Sequence, residues 1–543
     1  MGYDDVLPLI GDFGRYQKRI YFLLCLPAIL CAFHKLGNVF LVAEPEYRCR
    51  LPQELSNASY HDLSREELNK SYPWDPLKKK YSSCEMFEEN ETRQCKDFVY
   101  DESVYGYTAV IEWELTCEKA YMIATGNSLF MVGVMLGSII FGQLSDKFGR
   151  KLIFFISLVI QVVFGLIAAF TPEFWSFTLS RAIVGATTSG VFLVAYVIAL
   201  EMVGPRMRLL AGTGCQMFFS AGYMLTAVFA IYVDNWRNLQ LALTVPGLVF
   251  FCYWWFIPES TRWLLNQNRI SEAKNLIKIA AKQNRVTITD DLLDNLLISD
   301  VKSDDQQQQN KANVLDIFKH SNLRKRSLII LFDWFANNIT YYGLSWNTNN
   351  LGGNPYINFV ISGAVEIPAY TFLLLTLNRW GRKFVMCGCM ITAGLALLLT
   401  MAVPDDLQWL TVTLAMIGKL AITASYGAVY IFSTEQFPTV IRNAGLGAGS
   451  TCARIGSITS PYINVLAKFW GPLPLIIFGS LALIGGVMSL VLPETLNKKL
   501  PETMEEGESF GKKLKVQIDE EVPLNPELAK QAKIQTNGSI HSK

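Results

Sequence analysis

Gly142-Gln143-Leu144-Ser145-Asp146-Lys147-Phe148-Gly149-Arg150-Lys151 ends in a triplet that returns as Gly381-Arg382-Lys383, 232 residues later. Two further pairs keep nearly the same offset. Glu201…Arg208…Ala211-Gly212 returns as Glu435…Arg442…Ala444-Gly445, the glutamates 234 apart, and Pro258-Glu259-Ser260 returns as Pro493-Glu494-Thr495, 235 apart. Three pairs at one offset imply a duplicated unit whose copies run in the same direction. In a chain with 51% hydrophobic and only 17% charged residues, that organisation implies two repeated membrane halves.

Runs of about 20 apolar residues are long enough to cross a bilayer. Twelve are present, near 20–42, 124–144, 151–171, 177–199, 211–232, 238–257, 328–348, 356–377, 384–402, 408–430, 441–466 and 473–492, numbered here as spans 1 to 12. The expected layout is a cytosolic N-terminus (1–19), span 1 (20–42), a loop (43–123) and the rest of an N-terminal six-helix half (124–257). A central loop (258–327), a C-terminal half (328–492) and a tail (493–543) complete it. Lys147, Arg150, Lys151, Arg206, Arg208, Arg379, Arg382 and Lys383 follow the even-numbered spans 2, 4 and 8, and further basic residues flank the central loop. The loops Thr171-Pro172-Glu173, Asn347-Thr348-Asn349-Asn350 and Pro404-Asp405-Asp406 carry none, so the positive-inside rule places both termini and the central loop in the cytosol. No cleavable leader is expected, because the run after Met1–Lys18 lacks a small-residue cleavage site.

The loop after span 1 is then external. It holds three sequons, at Asn57, Asn69 and Asn90, and four cysteines, Cys49, Cys84, Cys95 and Cys117. On an oxidising face these predict two disulfides, with three pairings possible. The other seven cysteines fall in apolar spans and read as packing residues. In the central loop, Ser271 is placed to cap a helix over Glu272–Asn284 and Thr289 to cap a second, while Asp304–Lys311 reads as a flexible break. The charged, aromatic-poor tail after Leu500 is expected to be largely disordered. A net charge of +1 argues against a nucleic-acid partner.

The Gly142–Lys151 stretch resembles the loop motif of the major facilitator superfamily. Pro258-Glu259-Ser260-Thr261-Arg262-Trp263-Leu264 and Pro493-Glu494-Thr495-Leu496 narrow the resemblance to the organic-ion solute carriers, which include organic cation, carnitine/zwitterion and organic anion branches. It covers residues 1 to about 505 and is similar above all to insect organic cation transporter proteins. The resemblance implies an all-α membrane fold of twelve helices, alternating access without ATP, and a plasma-membrane location. No P-loop, zinc-protease motif, nucleophile elbow or dinucleotide fingerprint is found, so neither enzyme activity nor a cofactor or metal is expected. A channel or receptor is the competing class, but duplicated motifs at span ends suit alternating access better than a pore.

Ionisable groups deep in lipid cost at least about 2.5–3.5 kcal/mol each and therefore face a cavity or a partner. Lys35, Asp333, Glu366, Lys419 and Arg454 are such groups. Glu366 and Arg454, both near mid-span, are the leading candidates for substrate contact; alternatively they pair with each other or with Lys419 as structure. The resemblance adds Trp334, Tyr341, Gln216, Phe219 and Tyr196 as cavity positions. Aromatic faces hold ammonium groups without demanding one geometry. Arg454 stands where the organic cation branch has an aspartate and the carnitine and anion branches an arginine, and a guanidinium fork suits a carboxylate. The combination predicts a small-molecule substrate that is an organic cation or a carnitine-like zwitterion, with an organic anion exchanger as the alternative. Asp146, Arg150, Arg181, Glu201, Arg208, Glu259, Arg379, Glu435, Arg442 and Glu494 are expected to form a cytosolic gate, with Glu201 facing Arg208 and Glu435 facing Arg442. Asn378 replaces the acid of the second motif copy, so a weaker latch is expected there.

Overall fold

The computed structural model describes residues 3–55, 58–76, 80–88, 91–289, 293, 319–404 and 406–511. All twelve expected spans are helical. Among the described residues, eight helical stretches are long and apolar enough to cross a membrane by length and composition: Arg15–Leu41, Cys117–Phe148, Arg150–Ala169, Phe174–Glu201, Pro205–Tyr232, Pro355–Trp380, Arg382–Ala402 and Gln408–Gln436. The other four depart for visible reasons. Span 6 divides into an α-helix, Trp236–Thr244, and a 3-10 segment, Val245–Trp255, with Pro246 in its first turn. Spans 7 (Ser321–Trp346) and 11 (Arg442–Val465) are long but carry many polar side chains, and span 12 (Leu473–Ser489) is apolar but short. Span 7 starts at Ser321, earlier than the expected 328.

Proline shapes two further spans. Span 1 breaks before Pro27, and span 8 breaks at Val365, resuming as Glu366–Trp380. Pro368 has no N–H to donate back to Ala364, so the interruption follows from the ring. It leaves Glu366 as the first residue of the resumed helix, fully buried. Spans 2, 3 and 4 pack closely in one half, with Gly133 and Gly137 against the Ala182 and Ala186 backbone. Span 7 meets span 11 through Gly449, which lies under Trp334, and Gly456, which lies against the Phe335 carbonyl. A Cβ at any of these four glycines would sit under 3.0 Å from a neighbour, so only glycine permits the approach.

The loop between spans 1 and 2 is a small α+β unit. Tyr47–Cys49 pairs antiparallel with Phe98–Tyr100, and Glu85–Glu88 with Glu91–Gln94. Ser64 and Glu67 form a capping box on the helix Arg65–Ser71. Of the three possible disulfide pairings, the structure has Cys49–Cys95 and Cys84–Cys117, with Cα separations of 5.5 and 5.7 Å. The seven remaining cysteines are free. Asn69 is exposed on that helix, its amide oxygen accepting from the Tyr81 hydroxyl; Asn57 and Asn90 lie outside the described residues.

Two expectations are corrected at the opposite end. The central helix runs Ile270–Asn284 with Arg269 at its N-cap, so Ser271 lies inside it rather than capping it. The tail does not lose structure at Leu500. Thr503 caps a short helix, Met504–Ser509, and the Glu508 carboxylate accepts from the Asn322 and Leu323 backbone N–H groups at the start of span 7. Arg326 donates to the Gly507 carbonyl and lies 5.5 Å from the Phe510 ring centroid. The expected second helix capped by Thr289, the 304–311 break and the tail beyond 511 lie outside the described residues.

Candidate functional site

Each copy of the duplicated motif folds into the same device at the end of the bundle opposite the large loop. Gly149 has φ +110° and Gly381 φ +96°, backbone that L side chains rarely adopt, and both turn the chain sharply from an even span into the next. The following N–H groups, Arg150 and Lys151 in one copy and Arg382 and Lys383 in the other, are the unpaired donors of a helix start. Glu259 accepts from the first pair at 3.0 Å each, and Glu494 from the second at 3.0 and 3.1 Å. Burial opposes the charge on Glu494, but donation from Leu496, Thr495, Arg382 and Lys383 outweighs it and holds the carboxyl below its usual range. A Cβ on Gly149 or Gly381 would meet these carboxylates within 2.7 Å.

The arginine of each triplet completes the device. Arg150 makes a two-point pair with Glu201 at 3.1 and 3.2 Å, and Arg382 grips Glu435 at 3.1 and 3.2 Å. Ser260 and Thr495 donate to the same two glutamates. The expected partners are therefore exchanged. Arg208 bonds Asp4 at 2.5 Å instead of Glu201, because the Pro205–Met207 turn redirects it toward the N-terminal helix Tyr3–Ile10. Arg442 forms no ion pair among the described residues, and Arg379 is exposed. Asp146 bonds Arg150 at 2.7 Å, while the Asn378 copy has no such acid and Arg382 turns to the Leu377 carbonyl. Arg181 is not with this group. It is enclosed among spans 1, 2 and 4, donating to the His34 carbonyl.

The halves meet elsewhere. At the loop end Ser128 donates to the Ile458 carbonyl, Asn349 to that of Val39, and Lys468 pairs with Glu44 at 2.6 Å. Phe40 stacks on Tyr356 at 5.2 Å. At mid-depth Tyr223 of span 5 bonds Ser362 of span 8.

Between these two ends lies the polar centre. Glu366 is enclosed by three donors: Tyr341 hydroxyl at 2.6 Å, Ser220 hydroxyl at 2.7 Å across the half interface, and Lys419 at 3.2 Å. Lys419 stands over the Tyr341 ring, 3.4 Å from its centroid, and also bonds Ser345. The Glu366 charge is thus matched inside the protein. Arg454 is not matched in this way. It has no ion pair among the described residues, its Nε is unpartnered, and it is flanked by the phenols of Tyr342, Tyr426 and Tyr430. Lys35 lies 4.9 Å from the Tyr342 ring centroid and 5.8 Å from that of Phe219.

Sequence reasoning thus singled out residues that meet in space: Lys35, Phe219 and Arg454 around Tyr342, and Glu366 with Tyr341. Tyr196 stacks on Phe192 at 6.2 Å, and Gln216 is half-buried one turn before Ser220. Trp334 is 1% exposed, donates to Ser433, packs on Gly449 and borders the aromatic group, 4.4 Å from the Tyr430 centroid. The residues missed are Ser220, Tyr223, Tyr342, Tyr426 and Tyr430. The spacing of Tyr426 and Tyr430, one helical turn apart, was the available signal.

Residues 78–506 match the family model described as "Sugar (and other) transporter". The chain is 57% identical to the "Organic cation transporter protein" of Drosophila melanogaster over 94% of this chain and 96% of that one. It is 35% identical to the human "Organic cation/carnitine transporter 2", with 93% of each chain covered. Among solved structures, the inward-open xylose transporter XylE from E. coli superposes with a TM-score of 0.61 at 16% identity, covering 91% of this chain and 99% of that one, a likeness of fold.

Proposed function

Because the chain belongs to the sugar (and other) transporter family and, within it, to the organic cation and carnitine solute carriers, we propose that it is a polyspecific carrier of organic cations and carnitine-like zwitterions. It is a non-enzymatic, multi-pass membrane protein. The observation that carries the zwitterion reading is the pairing of Glu366 with Lys419 while Arg454 has no acid among the described residues. A substrate carboxylate would engage the Arg454 guanidinium in a forked contact, with Lys35 close by. The ammonium group would rest on the faces of Tyr342, Tyr426 and Tyr430, where cation–π attraction is worth about 0.5–2 kcal/mol. A simple cation has the same aromatic faces but no use for Arg454. Plasma-membrane residence with both termini cytosolic accords with the basic residues at the motif end and the disulfide-bearing loop at the other.

In this orientation the bonds between halves lie outside and at mid-depth, and the motif devices are each built within one half. We read this as the inward-facing arrangement of an alternating-access cycle. The test is uptake of carnitine, tetraethylammonium and an aromatic carboxylate by cells expressing wild type, Glu366→Gln and Arg454→Ala at matched surface levels. Carnitine uptake lost in Arg454→Ala, with tetraethylammonium retained, supports the reading. Carboxylate uptake alone, abolished in Arg454→Ala, would make this an anion carrier instead.

A further inference from the structure

The N-terminal half contains a second buried cation that the transport site does not use. Arg181 of span 4 is 2% exposed. One of its nitrogens, Nη2, donates to the His34 carbonyl at 2.6 Å, and its guanidinium lies 4.8 Å from the Phe130 ring centroid. Its Nε and Nη1 have no hydrogen-bond partner, and no carboxylate pairs with it among the described residues. The surroundings are polar without being acidic. Both ring nitrogens of His34, itself fully buried, are unpartnered, as is the Thr178 hydroxyl, one turn before Arg181 on the same face.

Asp333 in the C-terminal half shows why this matters. It too is buried without an opposite charge among the described residues, bonded by Ser489. A carboxylate can end that conflict by taking up a proton. A guanidinium cannot shed one in a protein, so its charge must be met by an ion or by water. A carbonyl and one ring face leave its Nε and Nη1 donors open, and an unmatched charge buried inside a protein is strongly unfavourable. Glu366 is already matched by Lys419 and supplies no counter-charge here. These conditions select a small monovalent anion over a neutral ligand.

We propose that Arg181, with His34 and Thr178, forms a halide-sized anion site among spans 1, 2 and 4. A bound chloride there neutralises the guanidinium and ties span 1 to span 4, apart from the carboxylate contact assigned to Arg454. The test uses the full-length purified protein. Thermal unfolding is followed while sodium chloride replaces sodium gluconate at constant ionic strength. The expected result is a saturable rise of several degrees in wild type that persists in Arg454→Ala and is absent in Arg181→Gln. Bromide anomalous scattering from wild-type crystals supplies a readout that does not depend on a variant folding, with a peak expected in contact with Arg181. A flat response in wild type, a saturable response that survives Arg181→Gln, one lost in Arg454→Ala instead, or a bromide map with no peak at Arg181 would each overturn the proposal.

Discussion

Removing Lys419 tests whether the polar centre holds itself together as a charge pair. Lys419→Met leaves the Glu366 carboxylate with two hydroxyl donors, Tyr341 and Ser220, and no cation, in a site that is 0% exposed. Breaking a buried pair from one side costs about 3–5 kcal/mol, because the remaining charge is uncompensated. Glu366→Gln has the mirror fault, leaving Lys419 without an acid over the Tyr341 ring, bonded to Ser345. The combined variant carries neither charge; the glutamine carbonyl still accepts from one of the Tyr341 and Ser220 hydroxyls, and its amide N–H can donate to the other. The losses should therefore fail to add, with a coupling of about 2–3 kcal/mol, at the upper end for residues in contact. In thermal unfolding of the solubilised protein, the double variant should melt well above the temperature that the sum of the two single losses gives. A double variant melting at the sum of the two losses would show that Glu366 and Lys419 act independently, and the pair would have to be abandoned as the organising contact.

Three further outcomes follow from other parts of the molecule. Cys95→Ser opens the Cys49–Cys95 bridge, whose 46-residue separation corresponds to about 4 kcal/mol of loop-closure stabilisation, and should sharply reduce mature protein at the surface by biotinylation. Glu54 is pushed up by burial, but its pair with Arg48 and the Leu51 N–H hold it below the usual range. Its contribution is therefore full above the ordinary glutamate value of about 4.3 and lost as the pH falls through the folded value, so the wild-type loop should lose protease resistance in acid while Glu54→Gln is already weakened at neutral pH. Arg442→Ala removes no ion pair seen here, so surface expression should be normal; lowered turnover in a transport assay would place Arg442 in the outside-facing state, and unchanged turnover would remove it from the gate.

The architecture was legible because repetition and apolar runs are properties of the chain itself. The partners of the charges were not. Glu201 and Arg208 are equally spaced in both copies, which suggested that they pair, yet spacing along the chain does not measure distance across a turn. Pro205 redirects Arg208, while Arg150 arrives from the head of a neighbouring helix. Glu366 and Lys419 could each be singled out by the cost of a charge in lipid, but their meeting depends on the packing of spans 8 and 10. Trp334 could be singled out by its aromatic character, but its close seat on Gly449 depends on the packing of spans 7 and 11. The tail helix was hidden because its stabilising contact, Glu508 on the start of span 7, comes from a residue 186 positions away.

The two capping glutamates also bear on how the protein is made. Glu259 and Glu494 stand after the last span of their respective halves, yet each fastens the start of a helix synthesised 109 or 112 residues earlier. Neither bundle can be clasped at its motif end until its sixth helix has left the ribosome. The N-terminal bundle is then closed while the rest of the chain is still being translated. The C-terminal bundle must wait for nearly the whole protein, so a polypeptide ending just short of Glu494 would have every span and still present quality control with one half unfastened.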